Sequence, residues 1–194
     1  DGNNNLPFID YAKLNNLDFV IGSEKDVLSR LILGAEKTNC TDIFRMTSES
    51  PFPYFEIIEK SWDNHLINNN DATFLDDIID GCGFEIIRAN ALKKSHTDGN
   101  DEHRSEFCSL FIRQNKEIFQ IEKLNPPKEL IRKDLRFTVD NPEDLVVCRA
   151  IYKNFKKLAP FIPIADAVHF IDKNDELKKL IAPFTEEGYQ TMYK

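Results

Sequence analysis

The sequence has little of several features that define large protein classes. It has no apolar run near the roughly 20 residues that cross a bilayer, and its first residues lack the basic start and apolar core of a signal peptide. Its basic residues are scattered and the net charge is −8, so it lacks the concentrated lysine and arginine surface that binds nucleic-acid phosphate. We therefore expect a cytoplasmic protein that binds neither nucleic acid nor a membrane.

Cysteine and histidine are also scarce. The four cysteines form no C-x-x-C pair, which leaves zinc ribbons and thioredoxin-like motifs without support and favours buried free thiols. His96 and His103 fall in a polar stretch whose spacing fits no familiar metal-ligand pattern, so a solvated loop is the preferred interpretation.

Short apolar runs of strand length alternate with segments of helical periodicity along most of the 194 residues. Strands are predicted at residues 17–21, 42–47, 72–75, 83–87, 118–124 and 136–139. Helices are predicted at residues 6–14, 27–35, 55–66, 89–95, 102–115, 145–157, 164–171 and 175–181. This alternation predicts a Rossmann-like α/β fold, with a mostly parallel sheet covered by helices on both faces.

Ligands of such folds bind beyond the carboxyl ends of the strands, so the residues that follow each strand are the candidates for chemistry. These segments are Gly22–Arg30, Ser48–Pro51, Asp80–Gly81 and Asp140–Pro142. Carboxylates that converge at one sheet edge would suit Mg²⁺, which prefers oxygen ligands. The alternative is that each acid caps the helix that follows it, and Ser23 with Asp26 has the spacing of such a capping pair.

Five segments, in the same order, resemble motifs of one enzyme family. They are Gly22–Arg30 (G-S-E-x-D-V-L-x-R), Phe44–Phe52 (V-R-x-T-G-D-x-P-L), Asp80–Glu85 (D-G-x-x-x-E), His103–Arg113 (R-S-E-F-x-x-x-Y-I-R) and Arg136–Leu145 (R-x-T-V-D-x-P-E-D-L). The chain is similar in these segments to the sugar-activating cytidylyltransferases of the spore-coat polysaccharide biosynthesis type. The V-D-x-P-E-D-L ending also occurs in the related CMP-KDO synthetases of the acylneuraminate type.

This resemblance implies roles for individual residues. Asp140 and Glu49 would be the catalytic carboxylates that hold Mg²⁺, although the family usually has Gly-Asp where this chain has Ser48-Glu49. Ser23, Asp26 and Arg30 would bind the nucleotide. The acceptor side would be lined by Asp80, Gly81, Glu85, Arg104 and Glu106, and the alternative for Arg104 is an exposed helix cation.

The resemblance implies a cytidylyltransferase that transfers CMP from CTP to an acidic sugar or related metabolite in surface-polysaccharide biosynthesis. We expect residues 1–157 to form the nucleotidyltransferase domain and 158–194 a helical extension of it. The family's phosphate-binding loop does not precede Leu17, so we expect an absent N-terminal βα unit and an inactive 194-residue fragment. A nucleotide-sugar-dependent glycosyltransferase and a non-catalytic scaffold or dimerisation module remain alternatives, and a homodimer is left open.

Overall fold

The computed structural model describes residues 5–186 of the chain. Helices α1–α9 cover, in order, Leu6–Leu14, Val27–Thr38, Ile58–Ile67, Ala89–Asp98, Asp101–Arg104, Leu110–Gln114, Pro142–Asn154, Ile164–Asp172 and Asp175–Ile181. Strands β1–β4 are Asp42–Arg45, Ala72–Leu75, Phe84–Arg88 and Ile121–Lys123. Short 3₁₀ turns occur at Phe55–Ile57, Lys128–Leu130, Lys156–Leu158 and Ala182–Phe184.

The four strands form one sheet in the order β1-β3-β2-β4. Strands β2 and β4 pair in parallel, with Ala72 opposite Ile121 and Phe74 opposite Lys123. All four residues of β2 are buried, as expected for an inner strand that is covered on both faces. The predicted α/β class is therefore confirmed, with a sheet that is mostly but not purely parallel.

Two predicted strands are absent from the sheet. Residues 17–21 have no strand partner among the residues that the structure describes, and Leu17 and Ile21 are exposed. Residues 136–139 are extended, but Arg136 makes only an isolated parallel bridge to Asp80. Both predictions were wrong because an apolar run favours extended backbone without supplying a strand to pair with.

The predicted helix at residues 102–115 is also interrupted, and consists of α5 and α6 with irregular backbone between them. Ser105 terminates α5, and its hydroxyl donates to the Glu102 carbonyl at 2.6 Å. Such side-chain bonds compete with the helical pattern, which explains the break in an otherwise amphipathic stretch.

The described residues divide into two compact units. The first unit combines the described part of Asp1–Ile43 with Ile87–Gln120. In this unit α2 packs against α4, with Leu28 and Leu92 fully buried and Lys93 paired to Glu36 at 2.9 Å.

The second unit combines Phe44–Ile86 with the described part of Ile121–Lys194. Its core joins β2 and the loop after it to α7, α8 and α9, and its largest fully buried side chains include Phe74, Ile79, Phe137 and Ile151. The helices predicted at 164–171 and 175–181 match α8 and α9. The division of the sequence at residue 157 stays a prediction, and residues on both sides of it lie in this unit.

A network of four charged side chains lies at the surface of the second unit. Arg132 donates two hydrogen bonds to Asp134, both at 2.8 Å, and two to Asp172, at 2.8 and 2.7 Å. Lys178 pairs with the same two carboxylates at 2.6 and 3.4 Å. These bonds hold the pKa values of Asp134 and Asp172 below their usual range, and tie α8 and α9 to the loop before Arg136.

No helix among residues 5–186 is both long enough and apolar enough to cross a membrane.

Candidate functional site

The two carboxylates predicted to hold Mg²⁺ lie on adjacent backbone segments of the second unit. The amide of Val139 donates to the carbonyl of Glu49 at 2.9 Å, and Asp140 follows directly. Both side chains are exposed, with 53% of the Asp140 side chain accessible. The backbone segments that carry Glu49 and Asp140 therefore meet through loops rather than through two paired strands, and their role in holding Mg²⁺ stays a prediction.

Glu49 lies on a tight turn that follows β1. The amide of Ser50 donates to the Thr47 carbonyl at 3.2 Å, and the two hydroxyls are 3.0 Å apart. The following helical segment begins only at Phe55, so Glu49 is too far from it to act as its cap. The capping alternative is therefore wrong for this residue.

Asp140 is bound by a buried arginine. Only 4% of Arg136 is accessible, and its Nη2 donates to Asp140 Oδ2 while its Nη1 donates to the Phe184 carbonyl at 2.8 Å. Its Nε lies 3.1 Å from Asp144 Oδ1 and 3.9 Å from Asp80 Oδ2. One cation thus neutralises part of a cluster of three carboxylates, two of which are buried.

Asp144 anchors this cluster to the start of α7. Its Oδ2 accepts hydrogen bonds from the amides of Asp140 and Asn141, at 3.1 and 2.9 Å. This is the acidic side of a capping box, with Pro142 at the first helical position as the sequence predicts. The motif around Asp140 therefore fixes the backbone conformation of the predicted metal ligand.

Asp80 and Gly81 form the turn that faces Arg136. Burial raises the pKa of the Asp80 carboxyl, and Asp140 and Asp144 add to this rise, while Arg136 opposes it. Gly81 has φ of +86°, and a Cβ at this position would lie 2.6 Å from the Thr138 nitrogen. Both residues therefore have structural roles, and their predicted acceptor contacts stay predictions.

Glu85 lies in β3 and is 9% accessible. Its Oε2 accepts a hydrogen bond from Arg45 Nη1 of β1 at 2.7 Å. A carboxylate with this partner has part of its hydrogen-bonding capacity filled by the protein. Its contact with an acceptor stays a prediction.

The residues predicted to bind the nucleotide lie in the first unit, around the start of α2. Asp26 is the N-cap, and its Oδ1 accepts from the Ser29 amide at 2.7 Å. Its Oδ2 lies 2.8 Å from His96 Nε2 of α4. Partial burial raises the pKa of Asp26, but the bonds from Ser29 and His96 outweigh it and lower the pKa overall. The cap is thus Asp26 itself, whereas Ser23 accepts from the Asp26 amide at 3.2 Å.

Arg30 folds back from α2 over the loop that precedes it. Its Nη1 donates to the carbonyls of Ser23 and Glu24, the latter at 3.0 Å. Arg30 and Glu24 also line an open cleft whose apolar wall includes Phe8 and Phe19. A guanidinium beside an aromatic wall can bind both a phosphate and a planar base.

Arg104, assigned to the acceptor, braces its own loop instead of extending into solvent. Its Nη2 donates to the His96 carbonyl at 3.0 Å, and its Nη1 pairs with Asp101 at 3.3 Å. The neighbouring Glu106 is exposed. These contacts engage Arg104 Nη1 and Nη2 within its own loop, and its role and that of Glu106 stay predictions.

Sequence reasoning missed three side chains of these clusters: Arg136, Asp144 and His96. His96 lies in α4, and His103 is buried with its Nδ1 accepting from the Asn100 amide at 2.9 Å. The solvated loop expected for both histidines was therefore wrong. The spacing of Arg136 and Asp140, four residues apart in an extended segment, could have placed both side chains on one face.

No group of three or more histidine, cysteine or acidic side chains within residues 5–186 is arranged to enclose a metal. Mg²⁺ in phosphate-transfer sites takes one or two carboxylates and fills its shell with waters and phosphate oxygens. The exposed carboxylates of Glu49 and Asp140 suit that mode, because both are oxygen donors with room around them. Glu49 is one methylene longer than the aspartate usual in the resembling family.

Comparisons with known proteins bear on the fold and its relatives. No protein-family model matches the chain. The uncharacterized protein MJ1063 of Methanocaldococcus jannaschii is 28% identical over 169 residues, which cover 87% of this chain and 69% of that protein. The spore coat polysaccharide biosynthesis protein SpsF of Bacillus subtilis is 24% identical over 156 residues, or 80% of this chain and 65% of SpsF.

A solved structure of a cytidylyltransferase from Leptospira borgpetersenii superposes with a TM-score of 0.81 at 22% identity, covering 91% of this chain and 75% of that one. The chain has a cytidylyltransferase fold. Together with the similarity to SpsF, this confirms the resemblance that the five motifs indicated. The chain spans about two thirds of the length of the curated relatives that it matches.

Proposed function

We propose that the protein is a cytidylyltransferase that transfers CMP from CTP to an acidic sugar or a related acidic metabolite, in surface-polysaccharide biosynthesis. The observation that carries the proposal is the hydrogen bond between the Glu49 carbonyl and the Val139 amide. This bond joins the backbone segments that carry two exposed carboxylates, within a fold shared with a cytidylyltransferase. The similarity to SpsF supports the polysaccharide pathway.

In the proposed reaction an acceptor oxygen attacks the α-phosphorus of CTP. The new bond joins that oxygen to phosphorus, the bond between the α-phosphorus and the bridging oxygen breaks, and pyrophosphate leaves while the acceptor hydroxyl releases its proton to water. Glu49 and Asp140 would hold Mg²⁺, which supplies positive charge to the phosphates. That charge matters here because a chain of net charge −8 would otherwise repel a triphosphate.

The remaining assignments rest on the family resemblance. Ser23, Asp26 and Arg30 are proposed to contact the nucleotide, and Arg30 supports this because it lies in a cleft with aromatic walls. The proposed acceptor contacts are Asp80, Gly81, Glu85, Arg104 and Glu106. A phosphate or carboxylate ligand would displace or share the protein partners that several of these side chains already have.

The test is pyrophosphate release by the full-length protein with CTP, Mg²⁺ and a panel of acidic sugars and phosphonates. Asp140→Asn removes the proposed ligand charge at nearly constant shape, and we expect it to lower the rate by roughly 100-fold or more. Glu143→Gln is the matched control, because it removes one charge from the first turn of the same helix without touching the proposed metal pair. Equal losses in both variants would contradict the assignment.

Glu49 is tested by two substitutions in the same assay. If its loop has adapted to the longer side chain, Glu49→Asp lowers the rate; if Glu49 has drifted from the family pattern, Glu49→Asp raises it. Glu49→Gln lowers the rate in either case, most clearly at limiting Mg²⁺. An unchanged rate for Glu49→Gln would remove Glu49 from the site. Folded protein without any nucleotide turnover would favour the non-catalytic scaffold.

A further inference from the structure

Arg136 has the features of a fixed support rather than of a ligand-binding side chain. It is 4% accessible, so it cannot reach solvent, whereas the Asp140 side chain that it contacts is 53% accessible. A buried guanidinium is stable only where carboxylates and carbonyls satisfy its charge and its hydrogens. The exposed member of this pair is therefore the one that is free to take a ligand.

The planar guanidinium distributes its contacts in three directions. Its Nη2 donates to Asp140, and its Nε faces Asp144, which caps α7, at 3.1 Å. Its Nη1 donates to the carbonyl of Phe184, at the end of the 3₁₀ turn Ala182–Phe184, at 2.8 Å. Because the guanidinium is rigid, holding two of its nitrogens sets the direction of the third.

We propose that Arg136 is a positioning residue, through which the C-terminal turn Ala182–Phe184 sets the orientation of the Asp140 carboxylate. The inference rests on the proposed function in taking Asp140 as a metal ligand. Asp140 Oδ2 is occupied by Arg136, so Oδ1 is the oxygen left to face a cation. Partners of this kind orient metal-binding carboxylates in other proteins and are often as important as the ligands.

Arg136 has two opposite effects on the affinity of Asp140 for a cation: its positive charge repels the cation, and its hydrogen bond orients the carboxylate. The test must separate these two effects. Removing Arg136 would lose orientation but also remove a repelling positive charge. A chain that ends at Ala182 keeps the four charged side chains of the cluster and loses the Phe184 carbonyl together with the rest of residues 183–194; its terminal carboxylate adds negative charge, which by itself would strengthen cation binding. A chain that ends at Glu186 keeps that carbonyl and is the matched control.

We would titrate each chain with Mn²⁺ alone, following water-proton relaxation, and record the Nη signals of Arg136 by ¹⁵N NMR. The chain ending at Ala182 should bind Mn²⁺ roughly tenfold more weakly and show altered Arg136 signals, whereas the chain ending at Glu186 should match the uncut protein. In turnover, half-maximal Mg²⁺ should rise by about the same factor, while the rate at saturating Mg²⁺ changes by less than about twofold.

Arg136→Lys in the uncut chain provides a second test if the shorter chain does not fold. It keeps the charge but replaces the rigid fork by a single ammonium, so Mn²⁺ binding should again weaken by about tenfold. Wild-type Mn²⁺ affinity in a folded Ala182 chain, or in Arg136→Lys, would overturn the positioning role.

The proposed function is judged separately. Weaker Mn²⁺ binding together with a complete lack of pyrophosphate release would support the positioning role and contradict the proposed function. Normal pyrophosphate release with unchanged metal dependence in both variants would support the proposed function and contradict the positioning role of Arg136.

Discussion

Gly81 is a position where a single methyl group should have a large effect on stability. Its φ is +86°, and an added Cβ would lie 2.6 Å from the Thr138 nitrogen and 2.7 Å from the Phe137 carbonyl carbon. Both neighbours are backbone atoms, and the Phe137 amide is already held by the Asp80 carbonyl at 2.7 Å. The segment therefore has to move as a whole to accept a side chain.

Two costs add for Gly81→Ala. A non-glycine residue at positive φ costs about 1–2 kcal/mol, and forcing a methyl group into packed structure costs about 1–3 kcal/mol. We therefore expect the free energy of unfolding to fall by about 2–5 kcal/mol, and Tm to fall by roughly 10 °C. This would occur without any ligand, which separates a structural role of Gly81 from its proposed acceptor contact.

The measurement is urea and thermal unfolding of Gly81→Ala, followed by circular dichroism. Gly34→Ala is the matched control, because Gly34 lies inside α2 with nothing within 4 Å of its added Cβ. That change should stabilise the protein by up to about 1 kcal/mol through helix propensity. A Gly81→Ala protein as stable as wild type would refute the close packing of residues 81 and 137–138.

Three further predictions concern buried and paired groups. Asp144→Asn should lower the free energy of unfolding by about 1–3 kcal/mol, measured by urea unfolding, because it removes the nearer of the two buried carboxylates that face Arg136 and weakens the capping box of α7; unchanged stability would contradict this pairing. In native protein Ellman's reagent should react fastest with the half-buried Cys40, whereas Cys148, whose pKa burial raises to about 12, should react only after unfolding. Arg132→Met should lower the free energy of unfolding by about 1 kcal/mol at neutral pH. This loss should shrink as pH falls below about 4, because the two aspartate partners, whose pKa values are lowered in the folded protein, stabilise the fold only while their carboxylates are ionised. Unfolding curves at pH 7 and pH 3 check the last prediction, and an equal loss at both would count against it.

Local signals predicted most helices and, with differences of a few residues in their bounds, all four strands of the sheet. The Asn141-Pro142 start places α7 correctly because a capping residue and a proline act within one turn, and β2 has the predicted bounds 72–75. The strand predicted at 17–21 failed because pairing depends on a partner elsewhere in the chain. The amides of the segment 136–139 likewise bind two loops, at Asp80 and Glu49.

The candidate site shows the same contrast between features that local sequence predicts and features that depend on distant residues. The order of motifs predicted that Glu49 and Asp140 belong together, and the Glu49 carbonyl accepts from the amide of Val139, the residue before Asp140. Arg136 could not be assigned in this way, because its partners come from positions 80, 140, 144 and 184, which only the folded chain brings together. The pairing of Asp26 with His96 is invisible in the sequence for the same reason.

The segment Arg136–Leu145 shows why one motif can be more specific than its separate letters. The arginine supplies the buried cation, and the aspartate four residues later receives one of its arms. Pro142 and Asp144 start α7, and Asp144 returns to the same arginine, so helix initiation and the orientation of Asp140 depend on shared contacts. A substitution at any of these positions should disturb the others, because each of these residues supplies the counter-charge or the helix cap that holds another. This coupling makes the motif a stronger indicator of the proposed metal site than an isolated acid after a strand.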